Sequence, residues 1–164
     1  KERGFAAALS LTQNDDDARD LSQDAFIKAY RNIKKFKLGR PFYPWYYRIL
    51  RNTCLSYLER YGPRRRVSLE ALIEEKHVQF SDEDHESASD RVHRNEMTEH
   101  LKGALEDLKP AFREIIVMKH FDEMSYDEMA QALRVPIGTV MSRLYYARKA
   151  LREAMERRGV KKVE

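Results

Sequence analysis

The chain has 164 residues, of which 35% are charged and 42% are hydrophobic, so it has room for one medium domain or two small ones with a highly charged surface. With 6 glycines, 5 prolines and 1 cysteine, the composition favours helices and excludes an intramolecular disulfide framework or a CxxC zinc or redox site. No apolar run approaches the ~18 residues of a membrane span. Because a single cysteine cannot form an intramolecular disulfide, we expect a reducing compartment. We therefore predict an all-α cytoplasmic protein.

Charge is partitioned along the chain. Residues 28–66 carry 12 basic and 1 acidic side chains, residues 67–108 carry 4 and 12, and residues 130–164 carry 9 and 3. A solvated helix face would explain one such run, but two basic blocks around an acidic one indicate two polyanion-binding surfaces. The acidic segment between them would repel polyanions.

The first amphipathic helix follows Asn14. Residues 15–17 are all aspartate, which places hydrogen-bond acceptors and negative charge where a helix begins. Apolar residues then recur every three or four positions, so the pattern predicts a helix to about Phe36.

A loop and a second helix come next. Gly39 and two prolines interrupt the segment Lys37–Pro44, which predicts a tight loop. Helical spacing resumes at Trp45 and continues to about Tyr61, where Gly62 and Pro63 are expected to end it.

Aromatic residues cluster at this loop. Of the 17 aromatic residues, 10 lie between Phe26 and Tyr61, and five of the six residues 42–47 are aromatic. Core packing would explain Trp45 alone, but five such rings cannot all point inward from one turn. Cations that hold phosphates beside rings that stack on bases are typical of a surface for unpaired nucleic acid. The candidate residues are Lys37, Arg40, Phe42, Trp45, Tyr46, Arg48 and Arg51.

Residues 62–95 are predicted to be a flexible acidic linker, because they lack apolar periodicity. The resulting organisation is two small helical domains, residues 1–61 and 96–158, with a basic tail at 159–164. The histidines of the chain are too widely spaced for a helical metal site, and we expect no cofactor.

The second half contains a helix-turn-helix pattern. Ser125 and Glu128 form a capping box, a turn is expected at 134–138, and Val140 and Leu144 begin an inward stripe. In such a motif the second helix can place polar residues in the major groove, although an ordinary helical hairpin has the same periodicity. The outward residues are Thr139, Ser142, Arg143, Tyr146, Arg148 and Lys149.

Catalytic motifs are absent from the sequence. No phosphate-binding glycine loop, zinc-protease motif or nucleophile elbow occurs. We therefore do not expect an enzyme.

Four segments together resemble one protein family. They are residues 21–26 (LSQDAF), 45–52 (WYYRILRN), 125–130 (SYDEMA) and 136–144 (PIGTVMSRL), and in order and spacing they resemble bacterial sigma factors of the extracytoplasmic-function (ECF) group. The resemblance implies a sigma region 2-like first domain that binds core RNA polymerase and captures the unwound minus-ten strand. It also implies a region 4-like second domain that reads the minus-thirty-five element as duplex, an anti-sigma factor as a partner, and a role in a stress response.

The resemblance assigns residues to each role. By this resemblance, the residues expected to bind core polymerase are Asp20, Leu21, Gln23, Asp24 and Phe26. The residues expected to bind minus-ten DNA are the aromatic and basic candidates above together with Asn52. The residues expected to bind minus-thirty-five DNA are the six outward residues of the helix-turn-helix. The alternatives are a helix-turn-helix regulator that binds duplex DNA without polymerase and a helical RNA-binding adaptor.

Overall fold

The computed structural model describes the backbone of residues 2–65 and 88–160, and the side chains of residues 2–62 and 96–160. Within those ranges the chain forms helices and no strands, so the all-α prediction is confirmed. The helices are α1 (Glu2–Thr12), α2 (Asp15–Arg31), α3 (Phe42–Arg65), α4 (Ala88–Glu106), α5 (Pro110–His120), α6 (Tyr126–Leu133) and α7 (Ile137–Arg157), with a 3-10 turn at Ile33–Lys35. None of the described helices combines the length and apolar character that a membrane span needs.

Helix α2 is shorter than the sequence predicted. Asn14 caps its start by accepting a hydrogen bond from the backbone N–H of Asp17 at 2.9 Å, as expected. At the other end the Asn32 side-chain amide donates to the carbonyl of Lys28, and the chain turns into the 3-10 segment. The predicted continuation to Phe36 was therefore wrong, because apolar periodicity carries no information about such a cap.

Helix α3 is longer than predicted at both ends. It begins at Phe42, since Pro44 lies in the first turn, where a helix needs no backbone N–H. It continues to Arg65, so Gly62 and Pro63 do not end it. Helix α4 likewise begins at Ala88, inside the predicted linker.

The remaining part of that linker, residues 66–87, lies outside the described residues, as does the tail from residue 161. The flexibility of the linker and the basic tail therefore remain predictions.

The N-terminal half (α1–α3) packs directly on the C-terminal half (α4–α7). Helix α1 lies against α5, and α3 lies against α6. The largest buried side chains on the two sides, Tyr47 and Leu50 in α3 and Ile115 and Met118 in α5, belong to one connected apolar cluster. The two halves thus share a core, which sequence periodicity within single helices did not reveal.

Buried Arg113 fastens three helices together. Arg113 is 5% exposed. Its guanidinium donates to the carbonyl of Ser10 in α1, to the carbonyls of Leu105 and Glu106 at the end of α4, and to the carbonyl of Leu108 just beyond it. Carbonyls at a helix C-terminus have no partner within the helix. Arg113 therefore satisfies them while joining the two halves.

Candidate nucleic-acid interface

Helix α2 presents an exposed face of acids, amides and large apolar side chains. Its inner stripe, which includes Leu21 and Ala25, is buried. Opposite lie exposed Asp20, Gln23, Asp24 and Phe26, the last with 58% of its surface exposed. Of the five residues assigned to polymerase binding, Leu21 is thus a core residue and the other four lie on the surface.

Sequence reasoning missed two members of this face. Ile27 is 49% and Tyr30 is 77% exposed, beside Phe26. Large contiguous apolar patches are a feature of interaction sites. Helical spacing could have indicated both, since Tyr30 lies four residues after Phe26, and Ile27 lies four after Gln23 and three after Asp24.

Three aromatic rings meet at the start of α3. The ring centroids of Phe36, Phe42 and Trp45 lie 5.3 to 5.6 Å apart. Phe42 is 42% exposed, and Trp45 is half-buried against the core. The cluster therefore offers ring edges and faces to solvent while resting on the core.

Polar candidates surround these rings. Lys37 and Arg40 are exposed in the loop before α3, Asn52 is exposed on α3, and Arg48 is half-buried. These cations and the amide are therefore at least partly accessible to solvent, and their role at the aromatic cluster stays a prediction.

Tyr46 does not join this surface. It is 4% exposed, and its hydroxyl donates to the carbonyl of Ser22 at 3.4 Å. It also lies over Gly4, where an added Cβ would stand 2.7 Å from the hydroxyl oxygen. Burial raises the pKa of Tyr46 to about 12. The expectation that Tyr46 faces DNA was wrong, because it fills the space between α1, α2 and α3.

Arg51 is held by the other half of the protein. Its Nε lies 2.7 Å from Oε1 of Glu114, and its Nη2 lies 3.5 Å from Oε2. The hydroxyl of Tyr47 donates to the same Oε1 at 3.1 Å. Glu114 is 2% exposed, and no local sequence signal distinguishes it within α5.

The helix-turn-helix forms as the sequence predicted. The Ser125 side chain accepts from the backbone N–H of Glu128, whose carboxylate accepts from the N–H of Ser125. Arg134, at φ 56°, ends α6 in the left-handed region and turns the chain toward α7. Val140 and Leu144 lie on the buried face of α7, so the predicted inward stripe is confirmed.

The outward residues of α7 form a basic and aromatic face. Ser142, Tyr146, Arg148 and Lys149 are exposed, whereas Thr139 and Arg143 are half-buried. The sequence analysis missed Met141 and Tyr145, which are 53% and 67% exposed and line a groove with Tyr126, Arg148, Lys149 and Arg152. Polar atoms near the start of α7 and cations farther along are the arrangement that major-groove readers use.

Comparison with known proteins supports both halves. Residues 3–64 match the family described as sigma-70 region 2, and residues 99–151 match sigma-70 region 4. The chain is 30% identical to the ECF RNA polymerase sigma factor SigW of Bacillus subtilis over 157 residues, which is 94% of this chain and 84% of the relative. It is 33% identical to the ECF RNA polymerase sigma-E factor of Escherichia coli K12, over 82% of this chain and 72% of the relative.

A solved structure agrees with these relatives. The sigma factor RpoE from Bartonella quintana, in complex with the anti-sigma factor NepR, has a TM-score of 0.70 and 29% identity, covering 93% of this chain and 89% of that one. The fold, the two matched regions and the relatives all point to one assignment. The chain belongs to the ECF RNA polymerase sigma factors.

Proposed function

We propose a division of labour between the two halves of this sigma factor. The N-terminal half binds core RNA polymerase through the exposed face of α2 and captures the unwound minus-ten strand at the start of α3. The C-terminal half reads the minus-thirty-five element as duplex through α7. The observation that carries the proposal is the separation of the exposed cationic and aromatic side chains into two faces, one around Phe42 and one on α7.

Polymerase binding rests on the exposed face of α2. Its combination of Phe26, Ile27 and Tyr30 with Asp20 and Asp24 suits a partner that has apolar contacts inside a basic rim. Pull-down of core polymerase should weaken with Asp24→Ala. The matched control is Glu99→Ala, which removes an exposed acid from α4. Equal binding by both variants would place the polymerase contact elsewhere.

Duplex reading rests on α7. Arg143 lies near its start, where base edges would be reached, and Lys149 lies two turns farther along, where phosphates would be. Arg143→Ala should change sequence preference and cost ~1 to 3 kcal/mol on a cognate promoter. Lys149→Ala should weaken all sequences alike and reduce the salt slope by ~1.

The control for both substitutions is Arg157→Ala, which removes a cation from the last turn of the same helix. The assay is holoenzyme binding to a promoter and to a scrambled duplex at several salt concentrations. Identical losses on both duplexes from Arg143→Ala and Lys149→Ala would refute the division between base and phosphate contacts.

Strand capture rests on exposed Asn52 and the loop that carries Lys37 and Arg40, beside the rings of Phe42 and Trp45. Extruding a base costs a few kcal/mol of unpairing and unstacking, which stacking on rings and amide hydrogen bonds can offset. Melting driven by capture needs no ATP, so the chain acts as a binding factor rather than an enzyme.

Strand capture is tested with Asn52→Ala, which leaves the core intact because Asn52 is exposed. Run-off transcription from duplex promoter and the number of permanganate-reactive thymines should fall, whereas a template with a premelted bubble should restore transcription. A loss that the bubble does not rescue would show that Asn52 acts before or after strand opening. Trp45→Ala should behave in the same way, with circular dichroism to verify folding, since Trp45 is half-buried.

Two partners and a compartment complete the proposal. Because a sigma factor with 29% identity was solved together with an anti-sigma factor, we expect an anti-sigma factor to bind this chain as well. Core polymerase and promoter DNA place its action in the cytoplasm. A regulator that binds duplex DNA without polymerase is disfavoured, and run-off transcription that strictly requires added core polymerase distinguishes the two.

A further inference from the structure

Two exposed nitrogen-bearing side chains meet where the end of α5 lies against the middle of α7. Nε2 of His120, in the last turn of α5, lies 3.5 Å from Nη2 of Arg148 in α7. We propose that His120 is a positioning residue for Arg148, and that a promoter phosphate bound between the two side chains draws a proton onto His120. Binding of duplex DNA then tightens as the pH falls. This inference rests on the proposed role of α7 in duplex binding.

The hydrogen-bonding capacity of the pair depends on the protonation of the imidazole. The guanidinium of Arg148 carries donors only. Nε2 of His120 can accept from it only while the ring is neutral, with its hydrogen on Nδ1. Protonation turns Nε2 into a donor as well, so two cationic donors then face each other. A phosphate oxygen is an acceptor that both donors can share through charge-assisted hydrogen bonds.

The surroundings of His120 are positive. Lys119 precedes it on α5 and Arg148 faces it from α7, and in the described part of the chain neither cation forms an ion pair with a carboxylate. Helix α6 contributes a neutral phenol, Tyr126, whose ring centroid lies 5.1 Å from the Lys119 ammonium. Partial burial, followed by the charges of Arg148 and Lys119, lowers the pKa of His120 from its ordinary 6.5. Near pH 7 the ring is therefore mostly neutral and can accept from Arg148.

An acid close in sequence is occupied elsewhere. Asp122, two residues after His120, is 1% exposed and lies beside Tyr43. Its backbone carbonyl accepts from Arg3, the cation that α1 brings to this side of α5. Burial raises the pKa of the Asp122 carboxyl to about 6. Because this group titrates in the same pH range as a histidine, a test of His120 needs a control at Asp122.

Helix-end electrostatics explain only part of the cluster. Cations are favourable at a helix C-terminus, which would account for Lys119 and His120 without any ligand. Arg148 comes from the middle of another helix, and it lines the groove of α7 together with Lys149 and Arg152. A groove lined by three cations suits a polyanion, so Arg148 connects the end of α5 to a surface that attracts phosphate.

Proton linkage sets the direction and the limit of the effect. A bound phosphate stabilises the charged form of His120 and raises its pKa, so the complex holds more protons than the free protein. Affinity for DNA therefore rises as the pH falls through the interval between the two pKa values. A single proton limits the change to about tenfold per pH unit. Because a phosphate contact carries no sequence information, the gain should be the same on any duplex.

The experiment measures binding of the holoenzyme to a promoter and to a scrambled duplex between about pH 5.5 and 8, where histidine titrates. His120→Gln keeps a neutral side chain with a hydrogen-bond acceptor and removes the titration. The matched control is His100→Gln, at a half-buried position on α4, and Asp122→Asn removes the neighbouring titrating acid. Ring-proton NMR of the full chain follows the pKa of His120, and circular dichroism reports folding.

From the alkaline to the acid end, the wild type, His100→Gln and Asp122→Asn should each gain at least about threefold more affinity than His120→Gln gains, on both duplexes. Arg148→Ala should bind more weakly, lose this gain and raise the pKa of His120 in the full chain without DNA. Equal pH profiles for the wild type and His120→Gln, with Arg148→Ala still weakening binding, would overturn the proton coupling while leaving the contribution of Arg148 to duplex binding intact. If Arg148→Ala binds both duplexes as tightly as the wild type, the proposed role of Arg148 fails, and the inference fails with it.

Discussion

The packing of Tyr46 over Gly4 gives a prediction that can be worked out from the structure. In Gly4→Ala the new Cβ would lie 2.7 Å from the Tyr46 hydroxyl oxygen and 3.3 and 3.4 Å from two ring carbons. Alanine in place of glycine within a helix contributes ~0.5 to 1 kcal/mol of stability, whereas overpacking a core costs ~1 to 3 kcal/mol. The overpacking term dominates, so Gly4→Ala should lower the free energy of unfolding by up to ~2 kcal/mol.

A second substitution relieves the contact. Tyr46→Phe removes the clashing oxygen and gives up one long hydrogen bond of 3.4 Å to Ser22, which costs at most ~1 kcal/mol. The double variant should therefore be more stable than the sum of the single effects predicts, with a coupling of ~1 to 2 kcal/mol.

The assay is urea unfolding followed by circular dichroism, with Gly138→Ala as the control. Apart from its chain neighbours and the backbone of its own helix, no described atom lies within 4 Å of the position of its added Cβ, so this control should be neutral or stabilising. Additive effects of Gly4→Ala and Tyr46→Phe, or a Gly4→Ala variant as stable as Gly138→Ala, would refute the packing and return Tyr46 to the surface.

Three further outcomes are expected from unfolding measurements. Arg113→Leu should lower the free energy of unfolding by about 3 kcal/mol or more, because the carbonyls that it satisfies would be left buried; a loss below ~1 kcal/mol would contradict this. Burial raises the pKa of Asp122 from 3.8 to about 6. Because the folded state holds this proton more tightly than the unfolded state, the free energy of unfolding should fall by up to ~3 kcal/mol as pH rises through that interval. Asp122→Asn should abolish this pH dependence. Ser125→Ala should lower the free energy of unfolding by ~1 kcal/mol through loss of the capping box. Ser125→Asp should keep most of the wild-type stability, because aspartate also caps helix N-termini.

Where contacts were local, the sequence was sufficient. The capping box at Ser125, the cap at Asn14 and the inward stripe that begins with Val140 and Leu144 all formed as predicted. Each depends on residues three or four positions apart, whose proximity is set by helix geometry alone. The helix-turn-helix and the all-α class follow from such contacts.

The ends of helices were less accessible to sequence reasoning. Glycine and proline favour helix termination, yet α3 continues past Gly62 and Pro63 to Arg65. Helix α2 stops at Arg31, where Asn32 caps its last turn. At the end of α2, helix propensities of a few tenths of a kcal/mol competed with a local hydrogen bond of similar size. Composition cannot decide such a balance.

Only the tertiary structure decided which aromatic residues face solvent. Phe42 and Tyr46 both carry an aromatic ring, yet Phe42 is 42% exposed and Tyr46 is 4% exposed. The difference arises because α1 brings Gly4 against the ring of Tyr46. Likewise, the pairing of Arg51 with Glu114 joins residues 63 positions apart. The sequence by itself determined the helical class and the helix-turn-helix, since these depend on neighbours within a turn. Packing between the halves decided which side chains are exposed, since burial depends on helices that are distant in the chain.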